Sequence, residues 1–315
     1  MMQNILFTAG IVTPVFLIIA LGFILKKLKI ISDNFVAVTS KFVFNVSLPA
    51  LIFFNISEID LSSTLNIKEI IFICVVIIAT YLIIWIISKY FIKDGKNLGV
   101  FIQGSFRGNF AIVGFAVIDS LYGNISLGKA SLILAFILPL YNILAVVALT
   151  VPIMEEKAIN LKSTFIEILT NPLVLAVVFA LPFSYYKIML PPVIIKSGNY
   201  LSSIALPLAL IGIGANLNVK EIKKASTFAF ASSGVKLILL PIIATFLAYE
   251  FGFIGQELGI IFILFACPTA IVSFIMADAM GGNSKLAGNI VLITTLGSIF
   301  TITIGLYLLK AFGLI

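Results

Sequence analysis

The chain has 315 residues, of which 61% are hydrophobic and 10% charged, with a mean hydropathy of +1.23. Length alone would allow two soluble domains, but this composition excludes them and defines a polytopic membrane protein. The net charge of +7 sits mainly in short loops between apolar runs, so topology accounts for it and no nucleic-acid partner is expected.

Ten apolar runs follow one another, each near the ~20 residues that a helix rising 1.5 Å per residue needs to cross ~30 Å of hydrocarbon. They lie near Ile5 to Leu25, Phe35 to Ile56, Ile70 to Ile87, Leu98 to Leu121, Leu127 to Val151, Phe165 to Phe183, Tyr200 to Leu217, Ala225 to Tyr249, Leu258 to Met280 and Leu286 to Leu308. No Lys or Arg precedes the first run and a basic cluster follows it, the pattern of a retained span rather than a cleaved signal peptide. Cys74 and Cys267 lie far apart inside apolar runs, and the chain has no histidine, so neither a disulfide nor a metal site is expected.

The loops after runs 1, 3, 5, 7 and 9 carry Lys26, Lys27, Lys29, Lys89, Lys93, Lys96, Lys157, Lys162, Lys220, Lys223, Lys224 and Lys285. The opposite side carries only Lys68, Lys129, Lys187, Lys196 and Lys310. The positive-inside rule therefore predicts the first set in the cytoplasm and both termini outside.

An internal repeat runs through these spans. Pro14 aligns with Pro172, and Leu48 and Pro49 with Leu206 and Pro207, at an offset of 158 residues. Ala111, Ile112, Val113, Phe115, Asp119, Gly123 and Asn124 then match Ala270, Ile271, Val272, Phe274, Asp278, Gly282 and Asn283 at an offset of 159. Apolar matches arise easily by chance; Asp, Gly and Asn in phase, with prolines upstream, do not. Five spans per repeat is an odd number, so the second half, residues 153–315, enters from the side opposite to the first, residues 1–152.

Runs 4 and 9 each carry a break. Run 4 holds Arg107, Gly108 and Asn109 at its middle, and run 9 has Pro268 at the position matching Asn109. A charge at mid-membrane costs about 2.5–3.5 kcal/mol on insertion scales, so Arg107 should face protein, water or a ligand. Helix segments restarting at Phe110 and Thr269 would aim N–H groups and positive dipole ends at one central volume, a site for an anion such as a carboxylate. The structural alternatives are that Arg107 snorkels to the cytoplasm and that Pro268 only kinks its helix.

Lys236, near the middle of run 8, matches an apolar region around Ile77 and Ile78. It would add a second positive charge for substrate or replace a coupling cation; pairing with Asp278 or an end-of-helix carbonyl is the structural counterpart. Asp119 and Asp278 each lie ten residues past a break, about 15 Å along a helix, towards opposite surfaces. They suit interfacial or gating roles, with ion coupling the alternative, and are too far apart for a catalytic dyad; no enzyme activity is expected. Neutral side chains cluster as well: Asn45, Ser105, Asn109, Asn142, Thr269, Ser273, Asn289, Thr294, Thr295 and Ser298. Asn45, Asn142 and Ser273 join the break residues as candidates for substrate, and Thr294, Thr295 and Ser298 as candidates for a coupling ion. Many such hydroxyls bond only their own i−4 carbonyl.

The runs LPALIF at Leu48 to Phe53, GNFAIVGF at Gly108 to Phe115 and CPTAIVSFIMADAMGGN at Cys267 to Asn283, with ten spans, resemble the auxin efflux carrier family over essentially the whole chain. That family includes plant PIN-formed carriers and bacterial malate or malonate permeases. The resemblance implies an all-α fold of ten transmembrane helices in a five-plus-five inverted repeat, with helices 4 and 9 broken and crossing at Gly108, Asn109, Cys267 and Pro268. Helices 1, 2, 6 and 7 would form a scaffold, also the surface for a homodimer, and helices 3–5 and 8–10 a mobile transport domain. In the plant carriers prolines mark both crossings; here Asn109 stands where the first would be. The chain also lacks the plant carriers' large loop between spans 5 and 6, so it looks like the compact form of a bacterial inner membrane.

The expected function is secondary transport of a small organic anion by elevator-type alternating access, with no cofactor and with H+, Na+ or the membrane potential as the driving force. A sodium symporter of the bile-acid type or a cation/proton antiporter is the alternative. The second would show a central acidic residue, which the sequence lacks.

Overall fold

The computed structural model describes residues 2–60, 64–153, 166, 170–218, 221–222 and 225–315. The described residues form helices joined by short turns: α1 (Met2–Lys27), α2 (Asp33–Ser57), α3 (Ile67–Phe91), α4 (Gly95–Phe106), α5 (Phe110–Tyr122) and α6 (Asn124–Thr150). Then come α7 (Pro172–Tyr185), α8 (Pro192–Ala215), α9 (Thr227–Glu250), α10 (Gly255–Ala266), α11 (Val272–Ala279) and α12 (Ser284–Ala311). Seven of them are long and apolar enough to cross a membrane: α1, α2, α3, α6, α8, α9 and α12. The apolar helices α5, α7 and α10 are shorter. Lys157, Lys162, Lys220, Lys223, Lys224 and the expected start of span 6 lie outside the described residues.

Local chemistry sets many of the boundaries. Ser32, Asn66, Asp94, Asn171 and Asn283 cap the starts of α2, α3, α4, α7 and α12 by accepting first-turn backbone N–H groups. Helix α8 begins at Pro192, eight residues before the expected Tyr200. Proline suits a first helical position, and the polar Asn199, Ser202 and Ser203 that lower the hydropathy there face a cavity instead of lipid. Single π-turns widen the helix at Val43–Ser47 in α2, Phe110–Gly114 in α5 and Val235–Leu239 in α9.

Helix α1 packs on α8, and α7 on α2, two pairings that the sequence repeat makes equivalent. The first is a close backbone approach. A side chain at Gly22 would strike the Ile211 backbone, and one at Gly214 the Ile19 carbonyl. Helices α4, α9, α10 and α12 pack together around the breaks.

Polar contacts sort the helix ends into two groups. At one end Lys129 pairs with Glu69 at 2.8 Å and Glu257 at 3.2 Å, Asn66 donates to Glu257, and Lys187 pairs with Asp60. At the other, Asn283 donates to Asn97, and Lys26 pairs with Asp33. The first group joins ends expected outside and the second joins ends expected in the cytoplasm.

Candidate functional site

Helix α4 ends at Phe106 and α10 at Ala266, and the two interruptions lie antiparallel against each other. Gly108 and Thr269 form a β-bridge. The Asn109 N–H donates to the Pro268 carbonyl at 2.7 Å, and the Ala270 N–H to the Arg107 carbonyl at 3.4 Å. The Thr269 N–H donates to Thr294 Oγ1 at 3.1 Å, and its hydroxyl to the Gly104 carbonyl at 2.7 Å. The expectation of free N–H groups in the segments restarting at Phe110 and Thr269 is therefore corrected for the second, where the N–H groups of Thr269 and Ala270 are both bonded. The chain after the second break also resumes its helix at Val272, three residues later than Thr269, because Thr269 and Ala270 are drawn into this cross-bonding. Helix α5 does start at Phe110, where the Asn109 carbonyl accepts from both Val113 and Gly114 and opens the π-turn.

Arg107 is 4% exposed and does not snorkel. Its guanidinium donates to Asn142 Oδ1 on α6 at 2.7 Å and to Met276 Sδ on α11 at 2.8 Å. Both partners are neutral, and no carboxylate is paired with it among the described residues. Among the described residues the Asn109 carboxamide makes no hydrogen bond to protein, and the Ser273 hydroxyl is buried without a partner. Arg107, Gly108, Asn109, Asn142, Pro268, Thr269 and Ser273 thus gather around one crossing. Asn45 does not join them: it is exposed on α2 and donates to its own Lys41 carbonyl.

Lys236, 0% exposed, donates to the Phe265 carbonyl at 2.9 Å, one of the last carbonyls of α10. Asp278 is exposed and accepts from Ser284 Oγ at 2.6 Å, so the end-of-helix partner for the lysine, not Asp278, is realised. Of the ion candidates, Thr294, Thr295 and Ser298 all donate to carbonyls of their own helix α12.

A cavity of about 800 Å³ opens beside α5. Its lining includes Pro14 on α1, Asn55 on α2, Asp119 and Ser120 on α5, and Asn199 and Pro207 on α8, with Glu58 and Asp60 also on its wall. Arg107 does not line it; the lining on α5 comes no nearer than Ala116, seven residues or ~10 Å beyond Asn109. Sequence reasoning missed Glu69, which is 1% exposed and reaches Lys129 across two helices. A carboxylate in the first turn of an apolar run was the available signal.

Crossed, mutually bonded breaks in apolar helices suit a membrane carrier, and residues 8–306 match the family model described as membrane transport protein. The chain belongs to this family. It is the auxin efflux carrier family that the three motif runs resemble. Relatives include an uncharacterized transporter of Methanocaldococcus jannaschii, 24% identical over 93% of this chain and 96% of that protein. Another, from Methanothermobacter thermautotrophicus, is 23% identical over 92% and 95%. The uncharacterized transporter YfdV of Escherichia coli K12 is 22% identical over 96% and 97%.

Proposed function

We propose that this membrane transport protein is a secondary carrier of a small organic anion, of the carboxylate class, working by alternating access. The observation that carries this reading is Arg107: a buried guanidinium at the crossing of two broken helices, held among the described residues by the neutral Asn142 and Met276. A charge kept there at a cost of about 2.5–3.5 kcal/mol, with no carboxylate beside it among the described residues, is suited to a counter-ion that comes and goes. The start of α5 adds first-turn N–H groups and a positive dipole end from the same place, and the Asn109 carboxamide makes no capping bond to that turn.

In this reading ten spans form a five-plus-five inverted repeat, with α4 and α5 together as span 4 and α10 and α11 together as span 9. The sorting of helix-end contacts into two groups and the equivalence of the α1–α8 and α7–α2 pairings both support it. The four helices α1, α2, α7 and α8 act as scaffold, and the rest move against them in the manner of an elevator. The 800 Å³ cavity between α1, α2, α8 and α5 is the outer vestibule, within the size range of small-ligand sites. Because it stops short of Arg107, movement of α5 past the scaffold is what would join the two.

A second reading draws on the wall of that cavity, where Glu58, Asp60 and Asp119 place carboxylates that suit a cation. It corresponds to the sodium-symport or cation-antiport alternative. Thermal unfolding of the detergent-solubilised protein with mono- and dicarboxylates, each with and without sodium, separates the two. The carrier reading expects a carboxylate to raise the midpoint in the natural protein and not in Arg107→Ala, since a ligand of the folded state stabilises it by mass action. Stabilisation by sodium alone, with no carboxylate active, would favour the cation reading.

A further inference from the structure

We propose that the Lys236 ammonium is the resident cation of the helix crossing, occupying the place where helix-end carbonyls would otherwise hold a monovalent metal ion, so that the folded carrier takes no sodium there. The inference rests on reading the chain as a carrier but not on the identity of its substrate.

The last carbonyls of a helix lack intrahelical donors and form the negative end of its dipole. At the end of α10 the Phe265 carbonyl receives Nζ of Lys236 at 2.9 Å, inside a region closed to solvent. The Leu264 carbonyl and this Nζ each lie 3.2 Å from where a side chain on Gly108 would begin. The ammonium is thus wedged between the end of α10 and the break after α4, and Gly108 leaves the room for it. No carboxylate pairs with it among the described residues, so the helix end is its counter-charge. Unwound carbonyls and half-helix C-termini are where carriers with broken helices coordinate their coupling cations. Here a side chain of the protein fills that role, covalently fixed and unable to exchange.

Two further observations fit. The positions matching Lys236 in the first repeat, Ile77 and Ile78 at offsets of 159 and 158, are both apolar, so the charge belongs to one half only and is no by-product of the repeat. Thr294 Oγ1 on α12 already accepts from the Thr269 N–H and donates to the Ile290 carbonyl, which leaves it fewer lone pairs for a cation.

The test is thermal unfolding of the purified, detergent-solubilised full chain in sodium, potassium or choline chloride at equal ionic strength, with no organic anion present. The natural protein is expected to unfold at the same midpoint in all three salts. Lys236→Ala is expected to unfold earlier in choline and to recover part of the loss in sodium, potassium or ethylammonium chloride, the last restoring the missing ammonium itself. Lys236→Met, which fills the volume without the charge, is expected to stay low in every salt. A sodium-specific rise in the natural protein would overturn the proposal, as would a Lys236→Met variant with the natural midpoint. If Lys236→Ala does not fold, those two comparisons still decide. A failed carboxylate screen would count against the anion reading above and leave this result intact.

Discussion

Arg107 and Lys236 are both buried, yet their partners differ in kind. Arg107 has side-chain ligands that a competing anion can supplement, whereas Lys236 is bonded to backbone that cannot leave. Arg107→Lys should therefore keep the charge but lose the planar fork that grips a carboxylate, weakening binding about tenfold or more in a thermal-shift titration. Gly108→Ala should cost roughly 1–3 kcal/mol, because the added carbon meets Lys236 Nζ and the Leu264 carbonyl at 3.2 Å. Gly10→Ala, with nothing within 4 Å, should change the unfolding midpoint little. Run 4 made Arg107 and Gly108 legible, since a charge beside a glycine stands out in an apolar run. Asn142 and Met276 were not legible as its ligands: they come from α6 and α11, and only folding brings them to the guanidinium.

Among the elements, packing by small residues fixes α1 against α8, where lipid gives no hydrophobic push to bring helices together. Gly214→Val should force these backbones apart and lower the unfolding midpoint clearly, because its side chain would enter the Ile19 carbonyl; Gly234→Val on α9 has open space and serves as control. A second link joins α3, α6 and α10 through Glu69, Lys129 and Glu257. Lys129→Met leaves a buried carboxylate unpaired and should destabilise by about 3–5 kcal/mol. The double change Glu69→Gln with Lys129→Met should recover part of that loss in chemical or thermal unfolding. The spacing of residues announced both broken elements, since Asn109 and Pro268 match across the repeat. It did not announce how the breaks are satisfied, which depends on one strand-like pairing between residues 161 apart in sequence.

At the scale of the molecule, the 800 Å³ cavity and the crossing are separate places in this conformation, and the proposed mechanism requires them to communicate. Ser120 is exposed on the vestibule wall. In a background with Cys74 and Cys267 replaced, Ser120→Cys should react with a membrane-impermeant thiol reagent applied outside intact cells, and substrate should alter its rate. Reaction only from the cytoplasmic side would reverse the proposed orientation. Lack of any change in rate with a transported anion would count against α5 moving during the cycle.

Composition and spacing along the chain suffice to place it in a membrane, to reveal a repeat with two matched breaks, and to assign its family. Each of these is a property of local composition or of residues compared with one another along the chain, so no coordinates are needed to see it. Folding in three dimensions sets that the two breaks bond each other, that Arg107 meets the neutral Asn142 and Met276, that Lys236 ends on the Phe265 carbonyl, and that Asn45 stays outside the site. The physical reason is that in hydrocarbon there is no water to bond the backbone groups freed at a break, so their partners are set by which helices meet, not by which residues are neighbours in sequence.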